Sequence, residues 1–155
     1  MFVMCAYKHI SEAWKNPEKS YVRDLMRRVA ERWRREPAIV RVENPTRLDR
    51  ARRLGYKAKQ GFAVVRVRIR KGGARKIRPV SGRRQRALGV TKFTRGKSLK
   101  MIAQDRAAKK FPNMIPLNSY WTWDDGKDKW FEVVMVDPNH PSVRNDRKLT
   151  LPTKI

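Results

Sequence analysis

Phe62-Ala63-Val64-Val65-Arg66-Val67-Arg68-Ile69-Arg70 is the stretch on which the fold class turns. Val65, Val67 and Ile69 fall on one side of an extended chain and Arg66, Arg68 and Arg70 on the other, the period of a half-buried strand. One face is expected to be core and the other a cationic strip. Further along, Ile115 to Trp123 and Lys129 to Val136 flank Asp124-Asp125-Gly126-Lys127, a turn that predicts a strand pair. In its second strand Trp130, Val134 and Val136 oppose Phe131, Val133 and Met135, so both faces are apolar.

Helices surround these strands. Val22, Leu25, Met26, Val29 and Trp33 recur at spacings of three and four, which predicts a helix from Ser20, its N-cap, to Arg35 before Pro37. A short strand over Ala38 to Val42 is expected next. Asn44-Pro45-Thr46 then opens a second helix, with Thr46 and Asp49 in a capping-box spacing and Gly55 as the stop. A third helix runs from the cap Ser98 to Lys110 before Pro112, with Leu99, Ile102, Ala103 and Ala107 as its apolar stripe. The sum is an α+β protein: a small antiparallel sheet packed with helices, plus long basic extensions. One domain over 1–155 is expected, with a basic arm at about 71–96 and an extended tail at about 138–155.

Charge narrows the partner. The 155 residues hold 39 basic and 14 acidic side chains, a formal charge of +25. Arginine outnumbers lysine 23 to 16, and its planar fork matches phosphate oxygens better than an ammonium does. Nineteen of the cations lie between Arg47 and Lys97, with Asp49 the single acid among them. Self-repulsion on this scale destabilises an isolated fold, whereas a polyphosphate surface neutralises it and releases counterions. Nucleic acid is the partner this implies. The arm, broken by Gly72-Gly73, Pro79 and Ser81-Gly82, has few apolar residues to fold around and is expected to order only on binding.

The candidate contacts are Arg47, Arg50, Arg52 and Arg53 of the short helix, Lys57 and Lys59 of the loop after it, and Arg66, Arg68 and Arg70 of the strand. The arm adds Lys71, Arg75, Lys76, Arg78, Arg83, Arg84, Arg86, Lys92, Arg95 and Lys97. On a helix of barely two turns, at least one of the four arginines is expected to cover core with its aliphatic stem.

Other chemistry finds little support. Gly96-Lys97-Ser98 before a helix is reminiscent of a phosphate-binding loop, but that motif needs Gly where Thr91 stands. Asp124, Asp125 and Asp128 suit a hairpin turn better than a divalent ion. Glu132 has no second carboxylate at a recognisable spacing, so an ion-paired structural role is expected of it rather than a nuclease role. Tyr120, Trp121, Trp123 and Trp130 have the chemistry to stack on unpaired bases but read as core. With one cysteine, Cys5, and with His9 and His140 far apart, no disulfide, metal site or cofactor is expected. No apolar run is long enough to span a bilayer. Neither a membrane nor a small-molecule substrate is expected as a partner.

At Ala6 to Ile10, Pro45 to Phe62, Arg66 to Arg70 with Gly72-Gly73, Leu117 to Trp121, Lys129 to Val133 and Val136-Asp137-Pro138 the sequence resembles the archaeal and eukaryotic type of large-subunit ribosomal protein fifteen. The resemblance implies a cytoplasmic structural constituent of the large ribosomal subunit without enzymatic activity, whose partners are large-subunit rRNA and neighbouring ribosomal proteins. It implies rRNA contact by the basic residues of the Arg47 to Lys59 block and of the Arg66 to Lys97 strand and arm. The sequence departs from the family pattern in two places: the family usually continues into a further basic tail beyond the position of Ile155, and the turn differs at Thr122-Trp123 and Asp128. Charge alone leaves a second class open, a general nucleic-acid-binding or DNA-compacting protein.

Overall fold

The computed structural model describes residues 6–73, 75–90, 93–146 and 149. Strands Ile39–Val42 (β1), Phe62–Arg70 (β2), Ile115–Asp124 (β3) and Asp128–Val136 (β4) form one antiparallel sheet in the order β1-β2-β4-β3. β2 and β4 are therefore the inner strands, paired without a break from Phe62↔Val136 to Arg70↔Asp128. The β3–β4 hairpin is the expected strand pair. Its register slips between Trp121 and Trp123, opposite Phe131 and Trp130, which leaves Thr122 as an extra residue.

Among the described residues five α-helices accompany the sheet: α1 (Ala6–Ala13), α2 (Val22–Arg35), α3 (Leu48–Arg53), α4 (Leu99–Lys110) and α5 (Pro141–Arg144). The α4 side is built from Ala63, Val65, Val67 and Ile69 of β2 and Phe131, Val133 and Met135 of β4, against Ala103 and Ala107. Two alanines one turn apart let the helix sit close to the sheet. Ser98 caps it as expected, its Oγ accepting from the Met101 N–H at 3.2 Å.

The opposite face departs from the expected open cationic strip. Trp14, Val22, Met26, Ala30 and Trp33 pack there on Trp123 and Trp130, and beside them Ala51, Phe62, Tyr120, Val134, Val136 and Val143 form a third apolar cluster. β2 is thus covered on both sides, and only Arg70 at its end is exposed. An alternating sequence reports which residues share a face, not whether a distant helix covers it.

Local readings also shift. The buried stripe of α2 is Val22, Met26, Ala30 and Trp33, while Leu25 is 54% exposed. Ser20 lies just before the helix, where its Oγ accepts from the Val22 N–H and donates to the Ala13 carbonyl, tying the end of α1 to the start of α2. The capping box at Thr46 does not form: α3 starts without a side-chain cap, and Thr46 gives its N–H and hydroxyl to Glu132 across the sheet. In the stretch expected to be an extended tail, α5 packs back on the body. Gly61, at φ +85°, makes room for it, since a Cβ there would lie 2.6 Å from Val143 Cγ2.

Candidate nucleic-acid interface

The nineteen cations fall into physically different groups. Arg66 is 7% exposed, paired with Glu36, and its guanidinium lies 4.0 Å above the Trp33 ring. Arg68 donates to the Arg34 carbonyl at 2.6 Å. Lys57 and Lys59 both pair with Asp146, and Lys59 also donates to the Ser142 carbonyl at 2.7 Å, so the loop before β2 holds the chain around α5. Lys71 is paired with Asp124 at 2.7 Å. Arg47 sits 4.6 Å over Trp14 and donates to the Trp121 carbonyl. Burial lowers its pKa despite nearby Asp49. These side chains are engaged within the fold.

A second group is exposed and has no acidic partner among the described residues: Arg50 and Arg53 on α3, Arg70 at the end of β2, and Arg75, Lys76, Arg84 and Arg86 in the long loop between β2 and α4. Arg52 lies beside Tyr7, with its guanidinium 5.3 Å from the ring. Among the described residues Arg78, Arg83 and Arg95 donate only to backbone carbonyls, of Leu88, Val80 and Gly72, which leaves their charge unopposed there. Lys97 pairs with Asp105 at 2.7 Å, both well exposed. Lys92 lies outside the described residues.

Reading the sequence in this segment alone missed Lys100, Arg106 and Lys109, which stand exposed on α4. The signal was present as a surplus of cations over the one acid of that helix, Asp105.

Two acids of the β3–β4 turn are held within the fold. Asp125 accepts from the Lys127 and Asp128 N–H groups and pairs with Arg34 at 2.9 Å; although burial opposes it, these bonds hold its carboxyl below the usual range. Asp124 faces Lys71 and Lys129. The turn acids are therefore tied to cations of the body. Glu132 is 0% exposed and hydrogen-bonded rather than ion-paired, accepting from Thr46 and from the Tyr120 hydroxyl at 2.6 Å. Burial drives its pKa upward, and those bonds offset part of the effect. Tyr120, Trp123 and Trp130 are core, and Trp121 is half-buried edge-on to Trp14 at 6.3 Å. Among the described residues the large aromatic rings that stand exposed are instead Tyr21 and Phe93.

A sheet with helices on both faces and a large excess of exposed cations over exposed acids defines a basic α+β protein. The family model described as Ribosomal L15 matches residues 5–153 of the 155, and the chain belongs to that family. It is a structural, non-enzymatic family of the large ribosomal subunit in the cytoplasm.

Proposed function

We propose that this protein binds and stabilises large-subunit rRNA through Arg and Lys contacts to phosphates, without catalysing a reaction. The observation supporting this is the set of exposed cations that have no acidic partner among the described residues, on α3, at the end of β2 and in the loop over 75–86. Arg50, Arg53, Arg70, Arg75, Lys76, Arg84 and Arg86 head the contacts, joined by Arg52, Arg78, Arg83, Arg95 and Lys97. Arg66, Lys57 and Lys59 serve instead to hold the body together.

Phosphates of neighbouring RNA segments repel one another, and a cationic loop lying between them screens that repulsion. The apolar faces of the sheet are already covered by helices, so the body acts as a rigid base from which the loop and α3 project charge.

Competitive binding of the full chain to large-subunit rRNA and to duplex DNA of equal length tests the reading. At 150 mM salt, a preference of tenfold or more for the rRNA is expected. Equal affinity would leave only a general nucleic-acid binder.

A further inference from the structure

Where the two ends of the long loop meet the body, the chain forms an open hollow of about 430 Å³ between Gly72-Gly73, Phe93, the Arg95 to Lys97 turn and Ile102 of α4. Its construction is specific. Arg95 donates to the Gly72 carbonyl and closes the neck of the loop, and Lys71 ties that neck to the β3–β4 turn through Asp124. Ile102 is partly buried against the α4 core and gives the hollow a fixed wall.

Phe93 is 50% exposed, in contrast to the tryptophans, which the fold buries wholly or in part. Gly72, Gly73 and Gly96 leave open space where other residues would place a Cβ, and the first two have φ of +74° and +75°. A planar group can therefore approach the backbone and the ring together. Arg95 and Lys97 stand at the rim. Asp105 pairs with Lys97, but an ammonium has three donors, and the Arg95 fork uses one N–H on Gly72.

We propose that this hollow takes one unpaired RNA nucleobase, stacked on Phe93, with its phosphate on Arg95 and Lys97. The proposal rests on the rRNA reading above and adds to it a single-strand contact at a fixed place. A flat ring, glycine-lined access and two cations at one edge match the face and the phosphate of a nucleotide. An apolar protein anchor would match the ring but leave Arg95 without a counter-charge.

The test compares the full chain with Phe93→Leu and Phe93→Trp on a twelve-nucleotide single-stranded RNA and on the same strand annealed to its complement. Phe93 lies outside the three core clusters, and circular dichroism checks that each variant folds. Phe93→Leu is expected to lose about tenfold in affinity for the single strand, in line with the loss of one aromatic stack. Duplex affinity should stay within twofold, and Phe93→Trp should restore the single-strand value. 4-Thiouridine placed in the strand should photo-crosslink at Phe93. An equal loss on both RNAs, or no loss on either, overturns the nucleobase site while leaving phosphate binding intact. Protection of Phe93 by a neighbouring ribosomal protein, with RNA affinity unchanged, overturns it in favour of a protein contact. Failure of the unaltered chain to bind either RNA at 50 mM salt would overturn the rRNA reading itself.

Discussion

Glu132 places a carboxylate in the middle of the sheet, where hydrogen bonds and the nearby Arg66 charge keep it tolerable. Two of its three bonds come from Thr46 in the loop before α3, so this one side chain ties the start of the arginine-bearing helix to β4. Its pKa is raised from an ordinary 4.5 by burial. Between those values the folded chain keeps a proton that the unfolded chain has released. The contribution to stability is therefore full below the unfolded value and is lost as pH rises through the folded one. Glu132→Gln never ionises and lacks that decline. Its melting temperature should improve relative to the unaltered protein as pH is raised from 4 to 8, and a gap independent of pH would mean that Glu132 takes up no proton on folding. Glu132→Leu should cost about 2–5 kcal/mol in urea unfolding, because the Thr46 N–H and Tyr120 hydroxyl lose their acceptor.

Among the elements, β2 separates two kinds of arginine along one strand. Arg66→Gln breaks a largely buried pair and a stacking contact, and should cost about 2–4 kcal/mol with rRNA affinity within twofold. Arg70→Gln should do the reverse, weakening binding and leaving the urea midpoint unchanged. Affinity lost at Arg66 with stability intact would return that residue to the interface. The strand itself was legible in the sequence, because the period of two is a local property; so were α2, α4 and the β3–β4 hairpin. What covers β2 was not. Glu36 is thirty positions from Arg66, and Asp146 is 89 from Lys57 and 87 from Lys59, so no local spacing announces those pairs. Thr46 and Asp49 show the converse, a correct local motif overridden by a buried carboxylate 86 positions away. Phe93 escaped notice because a single aromatic in a basic stretch has no period.

At the scale of the whole molecule, the net charge of +25 sets how binding should respond to salt. If roughly 6 to 10 phosphates are engaged, affinity for isolated rRNA should fall by about 10³ to 10⁵ between 50 and 200 mM salt. Replacing residues 75–90 with a short Gly-Ser linker removes several of the unopposed cations and none of the three core clusters. That variant should melt within a few degrees of the unaltered protein, show a shallower salt slope, and enter large subunits less well on sucrose gradients. Unchanged slope and incorporation would remove the loop from the interface. The hydrogen bond from Arg95 to Gly72 also bears on how this loop can vary in length. With its neck pinned by the body, the entropy of closing the intervening chain grows only logarithmically, by about 0.6 kcal/mol per doubling. Residues inserted between Ser81 and Gly82 should therefore cost the fold little, which makes this position a natural place for a reporter peptide and a segment whose length is free to change while the sheet beneath it is not.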